Sequence, residues 1–154
     1  MMKMLVFDMD GTIADFYGVD GWLDSILARD TRPYREAKPI YDMDVLNAVL
    51  DALKNLGWTI AVTSWLAKNS TKEYDEAVKT VKTEWLKRMG FPYDILNIVK
   101  YGMDKSTVTE NLGGVQILFD DEDNNLKAWR NGSAVNAKND IIKFLLTLYE
   151  AEIM

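Results

Sequence analysis

Short apolar runs alternate with segments of helical period along this chain, and that alternation restricts the fold more than any other feature. Met4-Leu5-Val6-Phe7 and residues 58–63, 96–99, 115–119 and 133–136 read as strands, the last at a sheet edge. Met43, Leu46, Val49, Leu50 and Leu53 mark one face of a helix that Gly57 ends. Residues 71–89 read as a longer helix, 124–130 as a short one, and 138–150 as a closing helix with Ile141, Ile142, Leu145, Leu146 and Tyr149 inward. Strands separated by helices favour parallel pairing, because a parallel neighbour is reached by a crossover and the crossovers cover both faces. The expected fold is α/β: a Rossmann-like parallel sheet sandwiched by helices, formed by residues 1–154 as one domain. With 154 residues, 48% of them hydrophobic and 27% charged, the chain can sustain such a core. Residues 14–42 break the alternation. They read as an insertion with one helix (Val19, Trp22, Leu23, Ile26 and Leu27 on one face) followed by a polar stretch over 29–41.

Asp8-Met9-Asp10-Gly11-Thr12 follows the first strand directly. In a parallel sheet the carboxyl ends of the strands share one edge, and ligands bind there. Asp8/Asp10, Thr63/Ser64, Lys105 and Asp120/Asp121 all fall at such ends. The chain contains no His and no Cys, which excludes imidazole bases, thiolate nucleophiles and Cys/His zinc sites. Clustered carboxylates repel by roughly 4 kcal/mol per pair at about 4 Å and an effective dielectric of about 20, so they protonate or bind a cation. Ligands that are all oxygen select a hard ion, Mg²⁺ or Ca²⁺. A calcium loop of the EF-hand type is ruled out over 120–132, since Leu126 and Gly132 stand where Gly and Glu are needed. A lysine and a hydroxyl beside the carboxylates both donate to phosphate oxygens. The pattern points to metal-assisted phosphate chemistry. A net charge of −6 and a pI near 4.7 disfavour nucleic acid and anionic membranes as partners. No segment has the length of a membrane span, and Asp8 interrupts the first apolar run too early for a signal peptide, so a cytoplasmic location is expected.

Asp8-Met9-Asp10-Gly11-Thr12, then Thr63, Lys105 and Asp120-Asp121, in that order, resemble the four-motif signature of the haloacid dehalogenase superfamily of phosphohydrolases. The likeness runs from about residue 4 to residue 125. Thr63-Ser64, Lys82, Asp104-Lys105-Ser106 and Ile117-Leu118-Phe119-Asp120-Asp121 are similar to the 5′(3′)-deoxyribonucleotidases, and more loosely to the phosphatase domain of polynucleotide kinases. The chain also looks like small phage-encoded members of the superfamily. The resemblance implies that Asp8 attacks phosphorus and forms an aspartyl phosphate. Asp10 then acts as general acid and base, and its backbone carbonyl binds the metal. Thr63 donates to a phosphate oxygen and Lys105 neutralises charge on Asp8 and the transferring group. The implied metal set is Asp8, Asp10, Asp121 and Asp120, with Asp121 a direct Mg²⁺ ligand, Asp120 acting through water and Asn125 supporting that shell. The neighbouring Ser64 leaves open which hydroxyl is the main phosphate donor. Lys82 lies on a helix face of mixed charge, where a phosphate-binding and a solvating role are both open.

Members of that superfamily choose substrates with a cap, and here the only room for one is the insertion at 14–42. Arg29, Arg32, Arg35 and Lys38 outnumber Asp30 and Glu36 there, and Tyr34 and Tyr41 add flat surfaces. Cations with aromatic rings suit a nucleotide or a single-stranded nucleic-acid end. The alternative is that this stretch only packs on the core. Trp65 directly follows the Thr63-Ser64 pair and is the tryptophan expected at the site. The expected activity is Mg²⁺-dependent hydrolysis of a nucleotide or another small phosphate ester. A nucleic-acid-end phosphatase and a non-catalytic binding or regulatory module are the alternatives.

Overall fold

The computed structural model describes residues 2–154. Its strands are β1 (Lys3–Phe7), β2 (Ala14–Asp15), β3 (Lys38–Pro39), β4 (Trp58–Trp65), β5 (Ile95–Val99), β6 (Val115–Asp120) and β7 (Gly132–Asn136). Its helices are α1 (Trp22–Leu27), α2 (Arg32–Glu36), α3 (Met43–Asn55), α4 (Lys72–Arg88), α5 (Lys105–Thr109), α6 (Asp123–Ala128) and α7 (Ile141–Ile153). Short 3₁₀ turns occupy Phe16–Gly18 and Glu110–Leu112. Five strands form one sheet in the order β5-β4-β1-β6-β7, and every pair in it is parallel. The α/β expectation therefore holds.

β1 is the central strand and is buried on both faces, which is why it reads as a continuous apolar run rather than an alternating one. Leu5 and Phe7 face the larger core with Ile60, Val62, Ile117 and Phe119. Met4 and Val6 face the smaller one with Ala61, Leu118 and Trp129. Phe7 stacks on Phe119 at 4.6 Å and meets Phe91 edge-on at 5.5 Å. The framework helices start on side-chain caps: Asp42 accepts from the N–H groups of Asp44 and Val45, Thr71 from Tyr74, and Asp140 from Lys143. The Asp140 cap sets the start of α7 later than the hydrophobic pattern suggests, and the helix runs to Ile153.

The insertion differs from expectation in content. Residues 14–42 hold two short helices, a 3₁₀ turn and an antiparallel pair, Ala14 with Pro39 and Asp15 with Lys38. Elements of two to six residues present too little of a period to be read. Leu23 and Leu27, on the apolar face that the helical spacing marks, are 51% and 70% exposed, whereas Ser25 of the same helix is buried. The segment is fastened to α4. Trp85 Nε1 donates to the Ala37 carbonyl at 2.7 Å, Tyr74 Oη to Asp30 at 2.8 Å, and the Arg88 guanidinium to Arg35 at 2.9 Å. Among the described residues, no helix is long and apolar enough to cross a membrane.

Trp85 is fully buried and joins the main core to the end of the insertion. Trp85→Ala should lower unfolding free energy by about 3–5 kcal/mol, the usual cost of emptying such a site, measured by urea denaturation.

Candidate active site

The loop after β1 carries Asp8 out of the sheet, and Met9 accepts the N–H groups of Thr12, Ile13 and Ala14 in a tight turn. Gly11 sits in that turn at φ +83°, and a Cβ on it would meet Asp121 Oδ2 at 2.3 Å. The left-handed backbone there favours glycine, and a side chain would crowd Asp121 as well. Across the sheet edge, Asp120 ends β6 and Asp121 follows it. Lys105 arrives from beyond β5 because Asp104 caps the short helix α5, its carboxylate accepting the Ser106 N–H at 2.9 Å. Arg130 pairs with Asp104 from outside, and its backbone N–H donates to Ser106 Oγ, which pins α5 in place.

These elements bring four carboxylates and two ammonium groups together. Lys105 Nζ donates to Asp8 Oδ1 at 2.7 Å and to Asp120 Oδ2 at 2.9 Å. Thr12 Oγ1 donates to Asp8 Oδ2 at 3.1 Å, with Asp121 Oδ1 3.4 Å from the same hydroxyl. Asp120 also accepts from the Glu122 N–H and from Asn125 Nδ2, so protein donors engage both its oxygens. Asp10 lies to the side, its Oδ2 accepting from Lys82 Nζ at 2.9 Å. Burial raises the Asp10 carboxyl above the usual carboxylate range, against the pull of the Lys82 ammonium. Burial alone would depress the Lys105 ammonium, but the charges of Asp8 and Asp120 and their hydrogen bonds hold it above its ordinary value. Burial and the Asp8 charge push Asp120 up to about 6 and Asp121 up to about 8.

Carboxylate oxygens of Asp8, Asp120 and Asp121 lie within 4.8 Å of one another. Four carboxylates against two ammoniums leave two formal negative charges, the complement of one divalent cation. Protonating Asp121 is the other way to relieve the same repulsion, which adds to burial in raising its carboxyl. An oxygen-only donor set of this kind fits a hard divalent ion such as Mg²⁺.

The group borders a cavity of about 600 Å³. Asp8, Asp10, Lys105, Asp120 and Asp121 line it together with Asn124 and Asn125. The insertion contributes Phe16, Tyr17, Trp22, Leu23, Leu27, Arg29 and Tyr34, while Trp65 ends β4 and Lys68, Asn69 and Tyr101 come from the loops after β4 and β5. Trp65 and Tyr101 pack at 5.0 Å, and the Lys105 ammonium lies 5.5 Å from the Trp65 ring.

Several residues expected at the site lie elsewhere. Thr63, in β4, is fully buried and does not line the cavity, its hydroxyl 3.5 Å from Asn97 Nδ2. Ser64 and Lys82 are also fully buried and bond to each other at 2.7 Å, so neither presents a group to a substrate. Arg32 is spent within the insertion on Glu36, Ser25 and the Asp20 carbonyl, and Arg35 reaches only Thr31. Tyr41 turns toward Ala137 and Asn139, away from the cavity. Sequence reasoning gave no role to Thr12, although it belongs to the acidic motif, set Trp22 aside as packed, and passed over Tyr17 and Tyr101; Arg29, named among the cations of the insertion, does line the cavity. The helical spacing that places Trp22 in a packed face says nothing about which face is open.

No protein-family model matches the sequence, and no curated protein matches it. Solved structures do share the architecture. The D,D-heptose 1,7-bisphosphate phosphatase of Burkholderia thailandensis superposes with a TM-score of 0.56, over 95% of this chain and 97% of its own, at 12% identity. The likeness is one of fold. The chemistry of this site rests on its own residues.

Lys105→Met strands two buried carboxylates. It should destabilise the metal-free protein by about 3–5 kcal/mol in urea denaturation, as breaking a buried ion pair does. The raised carboxyls have a second consequence. The folded state holds protons that the unfolded state releases near pH 4, so their contribution to stability is lost as pH rises from about 4 to about 8. Thermal unfolding in a chelator should show that decline, and Asp121→Asn should flatten it.

Proposed function

We propose that this protein is a phosphomonoester hydrolase working through an aspartyl phosphate on Asp8. The observation that carries the reading is the position of the Asp8 carboxylate. It borders the cavity, is gripped by Lys105 and Thr12, forms a three-carboxylate group with Asp120 and Asp121, and lies two residues from a separate half-buried acid, Asp10. In the first step an Asp8 oxygen forms a bond to phosphorus while the bond to the leaving oxygen breaks, and Asp10 gives that oxygen its proton. In the second, water attacks the aspartyl phosphate, Asp10 takes the water's proton, and inorganic phosphate leaves with Asp8 restored. Its raised pKa suits Asp10 to both halves. Lys105 stays bonded to Asp8 and offsets charge on the transferring group. Asp8, Asp121 and, more indirectly, Asp120 would hold Mg²⁺, which supplies charge neutralisation at the phosphate oxygens. We assign the substrate class to nucleotides and similar small phosphate esters, and residues 14–42 to the role of a substrate-selecting cap. The aromatic walls support this: Phe16, Tyr17 and Trp22 on one segment and Trp65 and Tyr101 on the other suit a flat ring attached to the phosphate.

Hydrolysis of p-nitrophenyl phosphate should require Mg²⁺ and fall to background in Asp8→Asn. Asp10→Asn should lose about 10²–10⁴-fold in rate. Full activity of Asp8→Asn would overturn the mechanism. Among nucleoside 5′- and 3′-monophosphates, sugar phosphates and 3′-phosphorylated oligonucleotides, a nucleoside monophosphate should give the highest kcat/KM. Turnover of oligonucleotides alone would assign the protein to nucleic-acid ends instead.

A further inference from the structure

Lys82 stands in the middle of α4 on its inward face, between Val78 and Trp85, and is 0% exposed. An ammonium has three protons to donate, and each finds an acceptor: Asp10 Oδ2 at 2.9 Å, Ser64 Oγ at 2.7 Å and the Trp65 carbonyl at 2.7 Å. The Tyr34 ring of the insertion closes the site from the other side, 5.1 Å from Nζ. Lys82 does not line the cavity, and its donors are spent, so it has nothing to offer a substrate. Folding alone does not call for an ion pair here, because well-packed apolar side chains in place of both Lys82 and Asp10 are commonly neutral or better. What the ammonium does uniquely is fix one oxygen of Asp10. Ser64 and Trp65 end the rigid strand β4, so the Asp10 carboxylate is referenced through Lys82 to the sheet that also carries Asp8 and Asp120. Asp10 Oδ1 accepts no hydrogen bond from the described side chains or backbone, while the Asp10 side chain borders the cavity.

We propose that Lys82 is the positioning residue for Asp10, holding Oδ2 so that Oδ1 meets the leaving-group oxygen of the substrate. The inference rests on the phosphomonoesterase reading and adds to it a residue that acts without touching substrate. A misplaced Asp10 delivers its proton poorly, which harms esters with poor leaving groups and spares those whose leaving group departs without help.

The test compares kcat/KM for phenyl phosphate, a poor leaving group, with that for 2,4-dinitrophenyl phosphate, a good one, in the Mg²⁺-loaded enzyme. kcat/KM reports the step that forms the aspartyl phosphate, and the ratio of the two values does not depend on how much of a preparation is folded. Lys82→Met should lower the ratio of phenyl to dinitrophenyl ester by about 10–100-fold, within the range general acid catalysis supplies. In an Asp10→Asn background, Lys82→Met should cost less than about 3-fold more, because interacting sites do not add. Lys82→Arg, which keeps the charge but moves its centre, should lower the ratio in the same direction if Lys82→Met yields no folded protein. An unchanged ratio, or losses that multiply in the double variant, overturns the proposal. A wild type without Mg²⁺-dependent turnover, or an Asp8→Asn variant with full activity, overturns the phosphatase reading beneath it.

Discussion

The Lys105 ammonium bridges Asp8 and Asp120 at the carboxyl edge of the sheet, and the local structure depends on that bridge. Two carboxylates buried this deeply repel each other and are poorly solvated. A cation between them lets β1 and β6 end side by side on acidic residues. It also explains the construction around α5. A five-residue helix would not hold a buried lysine by itself, so Asp104 caps it, and Arg130 and Asn131 bind Ser106 from the neighbouring chain turn. The positive charge is built into the fold, while the remaining negative charge is left for a ligand.

Lys82 applies the same logic on the other side of the edge. Each buried lysine answers one acidic residue of the Asp8-Met9-Asp10 motif, Lys105 for Asp8 and Lys82 for Asp10. The two aspartates are two positions apart, yet they sit in separate electrostatic surroundings. One is gripped at both oxygens and close to two further carboxylates; the other has one oxygen engaged. Different surroundings are what allow two chemically identical groups to take different roles.

Much of this was legible in the sequence, for specific reasons. β1, β4 and β6 announce themselves as apolar runs because both faces of the sheet are covered, and Asp8 and Asp120 stand just beyond β1 and at the end of β6. The direction of a single side chain was not legible. Lys82 looks like a solvated lysine because α4 is polar overall. Yet Tyr74, Val78, Lys82 and Trp85 lie on one stripe at helical spacing, and a lysine inside an apolar stripe is the signal that would have found it. Arg32 and Arg35 failed in the opposite sense. Charge alone drew attention to them, and both are consumed by neighbours within a few residues. The cavity wall was hidden because Trp22 reads as part of a packed helix face, and whether an aromatic residue is core or wall depends on what packs over it.

Residues 14–42 leave and rejoin the framework through the two-residue pair β2–β3, with the Ile40 N–H closing onto the Ile13 carbonyl at 2.8 Å. The entry and exit of this segment are therefore neighbours, and the sheet is indifferent to the length of chain between them. Lengthening such an excursion costs little, since the closure entropy grows only with the logarithm of its length. A different excursion need only reproduce the small antiparallel gate and find a foothold on α4. The framework that holds the carboxylates and the segment that walls the cavity are thus free to change at different rates.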